Sequence, residues 1–242
     1  MSDYFEIMRR AQGQQVVRRV VRKKRVRIDP DSVHELAREE LVKLVQRVFL
    51  FPHKEKRQAI LFVGVEHGTG CTSICARAGE ALASQVEGSV CVVDANSHTP
   101  SLHALYDLNN VRGLTDALSR PEPIKEFTLQ IHSSNLWILP FGQRSLDFAS
   151  TSTIDRFRAR VNELRAIFPY VLADVPPVNR CPEAVHLARH MDGVILVLES
   201  NSTRRVAARR AKESLDSANA RILGAVLNKR TFPIPNFLYE RL

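Results

Sequence analysis

The chain has 242 residues, of which 44% are hydrophobic and 25% charged, a composition that suits one α/β domain with a sizeable core plus an extension. No apolar run is long enough to span a bilayer and the N-terminal stretch is polar, which excludes a membrane-spanning or exported class and sets the expectation of a cytoplasmic protein. A net charge of +9 and a pI near 9.8 favour an anionic partner.

The first predicted element is a short amphipathic helix over Asp3 to Ala11, with Tyr4, Ile7, Met8 and Ala11 on one face. Such a face either packs on the domain or docks on a partner or membrane surface. Arg18, Arg19, Arg22, Lys23, Lys24, Arg25 and Arg27 follow in one short stretch. That run reads either as a solvated arm or as a contact with anionic lipid or nucleic acid. Valines interleave its charges and no aromatic does, so base stacking is unsupported and nucleic acid is the weaker partner. Residues 1–28 are therefore read as a basic N-terminal arm with a short helix, and 29–242 as the folded domain.

A second helix is predicted from Asp29-Pro30, where Asp suits the cap and Pro the first helical position. Val33, Ala37, Leu41, Leu44 and Val48 mark its apolar stripe, and Pro52 ends it. The chain then alternates. Predicted strands are Ile60–Gly64, Val90–Asp94, Leu136–Pro140, Tyr170–Val175, Val194–Leu198 and Ile222–Leu227. Predicted helices are Thr72–Gln85, Ser152–Phe168, Pro182–His190 and Thr203–Ala218. Strands this apolar are covered on both faces, and strand–helix alternation implies a mostly parallel sheet with right-handed crossovers and helices on both faces.

Ligands of such sheets bind at the carboxyl ends of the strands, and three features fall there. Gly68-Thr69-Gly70-Cys71-Thr72-Ser73 joins the first strand to a helix, in the context of a phosphate loop whose lysine position holds Cys71. Asp94 closes Cys91-Val92-Val93-Asp94, and Asp174 closes Val171-Leu172-Ala173-Asp174. The two aspartates are read as the catalytic carboxylates and, with the Thr72 hydroxyl, as oxygen ligands for Mg²⁺ shared with nucleotide phosphates. Taken singly each feature has an ordinary structural reading: a tight glycine turn, or an Asp that caps a helix. Their order after three apolar strands selects a P-loop NTPase fold.

Cys71, Cys75, Cys91 and Cys181 form no CxxC pair, and the eight histidines show no zinc spacing, so reduced buried thiols are expected. Cys71 is the exception to watch, because a helix N-terminus lowers a thiol pKa and opens a redox role.

These segments resemble the bacterial tyrosine autokinase family of capsule and exopolysaccharide synthesis, relatives of the partition and septum-placement ATPases with their deviant Walker A loop. The resemblance rests on the opening Met1 to Ala11, on Asp94-Ala95-Asn96-Ser97-His98-Thr99-Pro100-Ser101-Leu102-His103 as a second Walker-type motif, and on Gly113 to Leu118. It continues through Tyr170 to Pro177 as a Walker B segment, Asp192 to Val197, and Gly224 to Arg230. It implies ATP or ADP with Mg²⁺ on the loop, Asn228 near the base, and a cytoplasmic place at the inner face of the plasma membrane. The implied partner is a membrane-anchored polysaccharide chain-length regulator or co-polymerase. Glu40, Lys43 and Gln46 fall where the family has a Glu and two Arg used in ring assembly, so a homo-oligomer is implied as well. The departures are Cys71 for the loop lysine, Glu66 for the upstream lysine, Asn96 for the second acid of Asp-x-Asp, His98-Thr99 for a basic pair, and a single Tyr239 for the tyrosine cluster. Three readings stand: a regulator or scaffold of exopolysaccharide synthesis with weakened nucleotide chemistry; an active ATPase or protein-tyrosine kinase with an atypical site; and a partition-type, nucleic-acid-associated positioning protein.

Overall fold

The computed structural model describes residues 30–52, 57–132, 134–144, 147–148 and 150–230. The basic arm, the helix predicted over residues 3–11 and Tyr239 lie outside them.

Helix α1 (Pro30–Val45) runs into a π-helical turn over Gln46–Leu50, closed by Phe51 N–H on the Gln46 carbonyl at 2.9 Å. The sequence reads this whole stretch as one helix. Its buried stripe is Leu41, Val45 and Val48, with Leu44 half-buried and Ala37 exposed, so the inward face is set one position away from the predicted one at Val45.

Seven strands follow: β1 (Ala59–Gly64), β2 (Val90–Asp94), β3 (Leu129–Gln130), β4 (Leu136–Leu139), β5 (Tyr170–Val175), β6 (Gly193–Glu199) and β7 (Ile222–Asn228). They form one sheet in the order β3-β4-β2-β5-β1-β6-β7, parallel except for the short β3. The six predicted strands are all present, and β3 is an addition too short and exposed to show a period of its own. Helices α2 (Cys71–Ala83), α5 (Thr151–Ile167), α6 (Pro182–Ala188) and α7 (Arg205–Ser217) supply the crossovers, and two four-residue helices, α3 (Leu102–Leu105) and α4 (Leu114–Ala117), lie between β2 and β4.

The period of two along each strand divides the apolar residues between two cores. Ile60, Phe62, Val90, Val92 and Leu172 pack under α1 and α2 with Ile74, Cys75 and Leu82. Leu61, Val63, Val93, Ala173 and Val175 face the other way, against Phe157, Val161 and Leu164 of α5 and Leu187 of α6. Contact under α2 is close: a Cβ at Gly79 would stand 2.4 Å from Val92 Cγ2, so any larger residue there would push the helix off the sheet. In the β2–β5 register Asp94 lies directly beside Asp174, which brings both carboxylates to one edge of the sheet next to the loop that leaves β1.

Candidate functional site

The loop between β1 and α2 owes its shape to two glycines in the left-handed region, Gly68 at φ 85° and Gly70 at φ 78°. Position 70 has no room for a side chain either, since a Cβ there would meet Asn228 Nδ2 at 2.4 Å. Two residues at the end of β7 hold the loop from outside. Asn228 Nδ2 donates to the Thr69 carbonyl at 2.8 Å, and Lys229 Nζ donates to the Gly68 carbonyl at 2.6 Å while standing 3.3 Å from Glu199 Oε1. The first intrahelical bond of α2 runs from Ile74 N–H to Gly70 O at 3.1 Å. The N–H groups of Cys71, Thr72 and Ser73 therefore precede the helical ladder and are the donors a phosphate would use.

Asp174 is fully buried beneath this helix start. Its Oδ2 accepts the Thr72 hydroxyl at 2.6 Å, while no donor closes on Oδ1 with hydrogen-bond geometry. Burial pushes the carboxyl up to about 7, with the neighbouring Asp94 charge adding to the rise; Thr72, and more weakly Cys71 and Asn96, oppose it. Asp94 sits in the same apolar setting and rises to about 6, again by burial, but it has three backbone partners. Asn96 N–H reaches Oδ1 at 3.1 Å, and the N–H groups of Ser101 and Leu102 reach Oδ2, both at 3.0 Å. Asp94 thus does what a capping aspartate does, tying the loop after β2 and the start of α3 to the strand end.

Asn96 organises the rest of that loop: its Oδ1 accepts His98 N–H at 3.3 Å and Thr99 N–H at 3.1 Å. The structure so brings Gly68, Thr69, Gly70, Cys71, Thr72, Ser73, Asp94, Asp174 and Asn228 to one place, with Asn228 gripping the outside of the loop. The Gly113–Leu118 segment is anchored separately. Buried Asp116 accepts Gly113 N–H at 3.2 Å and Arg144 Nε at 2.8 Å, which makes it a local staple. On α1, Glu40 and Lys43 pair with each other at 2.8 Å on the exposed face, and Gln46 Nε2 donates to Gln85 Oε1 at 2.7 Å.

The expectation of an activated Cys71 is overturned. Burial first, then the Asp174 charge and Cys75, hold its thiol well above the ordinary range, and these outweigh the helix terminus. Position 71 thus places a neutral thiol beside the Asp174 carboxyl.

The pattern missed two further features. The grip of Lys229 on the Gly68 carbonyl, with Glu199 pairing the same ammonium, joins residues far apart in sequence and leaves no local signal. The same holds for the meeting of His98 with Glu183, at 2.8 Å. Asn96 was marked in the sequence only as the departure from the Asp-x-Asp motif of the family it resembles.

A family model described as cellulose biosynthesis protein BcsQ matches residues 58–221. The putative tyrosine-protein kinase CapB of Staphylococcus aureus is 24% identical over 210 residues, covering 86% of this chain and 92% of that protein. Among solved structures, the VpsO kinase domain superposes with a TM-score of 0.72 at 19% identity, over 83% of this chain and 98% of that one. The MinD cell division protein of Aquifex aeolicus gives 0.59 at 21% identity, over 76% and 72%. The resemblance to bacterial tyrosine kinases holds, and the fold is the P-loop NTPase type shared by kinase domains and MinD.

Proposed function

We propose, from the premise that this chain belongs to the cellulose biosynthesis protein BcsQ family, that it is a P-loop regulator or scaffold of exopolysaccharide synthesis, cellulose being the nearest candidate. In this reading it holds Mg²⁺–nucleotide weakly and does not transfer phosphate efficiently. One observation carries the reading: position 71 offers a protonated thiol against Asp174, and the Lys229 ammonium is engaged by the Gly68 carbonyl and Glu199.

The donor set fits a Mg²⁺–nucleotide in part. The orphan Asp174 Oδ1 and the Thr72 hydroxyl are hard oxygens of the kind Mg²⁺ takes, and the N–H groups at residues 71–73 suit phosphate. A bound Mg²⁺ would supply the positive charge that Asp174 lacks. Asp94 serves as a positioning residue that holds the neighbouring loop, and Asn228 holds the loop where a base would approach. A cation aimed at charge that develops in transfer is worth about 3 kcal/mol, and a thiol contributes none of it. Binding survives such a loss better than transfer does, because only transfer depends on stabilising the transition state specifically. A membrane-anchored polysaccharide co-polymerase, an anionic membrane surface and a second copy of the chain are the partners this role would call on.

Calorimetric titration with ATP and ADP, with and without Mg²⁺, tests the reading. Wild type should bind weakly and only with Mg²⁺. Cys71→Lys should bind at least about tenfold tighter, a gain of roughly 1.4 kcal/mol. An unchanged affinity in Cys71→Lys would overturn the idea of a pocket weakened at that position. The second reading, an active ATPase or tyrosine kinase, draws on Lys229 as a cation already on the loop. Turnover that disappears in both Asp174→Ala and Lys229→Ala would favour it.

A further inference from the structure

We propose that His98, Cys181 and Glu183 form a binding site for a divalent transition-metal ion of the zinc class. A ring nitrogen of His98, the Cys181 Sγ and a Glu183 carboxylate oxygen lie within 4.8 Å of one another, and no other such trio occurs among the described residues. The three come from two elements that sequence alone does not bring together. His98 sits in the loop after β2; Cys181 and Glu183 sit two residues apart where α6 begins.

The backbone at His98 and Cys181 is held by hydrogen bonds. His98 N–H is held by Asn96 Oδ1 at 3.3 Å, Cys181 N–H by the Pro177 carbonyl at 3.0 Å, and Ala184 N–H by the Cys181 carbonyl at 3.1 Å. Cys181 stands at the cap position of α6 but makes no side-chain cap bond, so helix capping does not account for its thiol. The spacing suits a metal. Bonds of about 2.0–2.3 Å in a tetrahedral site leave ligand atoms roughly 3.3–3.7 Å apart. His98 Nε2 and Glu183 Oε1 stand 2.8 Å apart, and all three ligand atoms lie within 4.8 Å of one another, close to what a shared ion requires. The His98 side chain, 57% exposed, is free to adjust toward an ion.

Imidazole, thiolate and carboxylate together are a borderline-soft set that selects zinc-class ions over Mg²⁺. Three protein ligands leave the fourth position to water or to a partner's side chain. Binding would replace the His98–Glu183 hydrogen bond and release the Cys181 thiol proton to solvent. Ser97 Oγ, which donates to Glu183 at 3.1 Å, would remain as the outer partner that orients the carboxylate. An ion here would clamp the loop after β2 to the start of α6, and so join the chain segments that leave Asp94 and Asp174. The site uses neither of those carboxylates nor the glycine loop, so it stands whether or not nucleotide binds.

The test is titration of the full chain, stripped with EDTA, with Co²⁺ alone, followed by competition with Zn²⁺. The expected result is a thiolate-to-cobalt charge-transfer band that saturates at one equivalent and is bleached by Zn²⁺. Cys181→Ser and His98→Ala should abolish it, Cys71→Ser should leave it intact, and Ser97→Ala should weaken binding about tenfold. His98→Ala changes an exposed side chain, and far-UV circular dichroism checks that its fold is retained. The absence of a band in wild type would overturn the proposal. So would a band that needs Cys181 but ignores His98, since that would report a lone thiolate.

Discussion

Asp94 and Asp174 are neighbours in the sheet, end their strands at the same level, and are equally buried, yet their surroundings differ. Asp94 receives three backbone N–H groups from the loop it holds. Asp174 receives one hydroxyl and keeps an oxygen without a donor. The first carboxylate is hydrogen-bonded by the protein's own backbone and ties the loop after β2 to the strand end. The second keeps one buried oxygen that the protein itself does not satisfy. The contrast separates a carboxylate held by three backbone donors from one with an oxygen that no protein donor fills. Both carboxyls rise, burial being the first cause in each, and at Asp174 the neighbouring Asp94 charge adds to the rise.

Removing Asp94 should have the largest effect. Asp94→Ala strands the N–H groups of Asn96 and Leu102 in a buried setting and frees that of Ser101, which is closer to solvent. Unsatisfied buried donors cost about 1–3 kcal/mol each, so a loss of roughly 3–5 kcal/mol is expected in urea denaturation. Burial raises the Asp94 carboxyl itself to about 6, so the variant is also relieved of a buried charge as pH rises through that value; the loss is therefore read near pH 4, before that relief sets in. A loss below about 1 kcal/mol would mean that Asp94 is no cap, and the distinction between the two carboxylates would collapse.

Asp174→Asn should act in the opposite direction, and only at higher pH. In the folded protein the carboxyl titrates at about 7, against an ordinary value of 3.8. A raised carboxyl pKa favours the folded state below the ordinary value, and that contribution is lost as pH rises through 7. The asparagine has no charge to bury and can still accept the Thr72 hydroxyl. The variant should therefore match wild type near pH 4 and exceed it near pH 8, with a ceiling on the order of 4 kcal/mol. Thermal unfolding across that range checks it. A gap that stays flat from pH 4 to pH 8 would show that Asp174 is not held in a raised state.

Most of the architecture was legible because the central strands are fully buried and declare themselves as apolar runs. Ile60 to Val63, Val90 to Asp94 and Tyr170 to Val175 needed no tertiary information to find. The glycine loop was equally plain, since Gly68 and Gly70 are required by backbone conformation. What escaped was whatever depends on meeting across the fold. The short β3 has no period to detect, α3 and α4 are too short to show an apolar stripe, and the π-helical turn after α1 alters geometry without altering composition. The site shows the same division. Both aspartates were readable as strand ends, but their unequal partners were not. The direction of the Cys71 shift was misread because a helix terminus is visible in sequence while burial beside a carboxyl is not. Asp192 is a further case: it was legible only as part of a family segment, and in the fold it accepts the N–H groups of Gln58 and Ala59 at 2.8 Å and pairs with Arg165 at 2.7 Å, bracing the far end of β1.

The smallest expected effect concerns how the incomplete side of the site keeps its shape. Lys229 holds a left-handed backbone, φ 54°, that a lysine does not choose unaided, and its ammonium closes on the Gly68 carbonyl. Half of the side chain is exposed, so water screens both that bond and the contact with Glu199. Lys229→Ala should therefore cost no more than about 0.5 kcal/mol of global stability. Its consequence should be local: faster amide hydrogen exchange at residues 68–70, with β1 and β5 unchanged, because a loop held by few bonds opens independently of the core. Lys229→Gly relieves the left-handed backbone as well as removing the bond, and separates the two contributions. If Lys229→Ala left exchange at residues 68–70 unaltered, the loop would be held by Asn228 and its own glycines alone, and the cation at residue 229 would have no part in preparing the phosphate site.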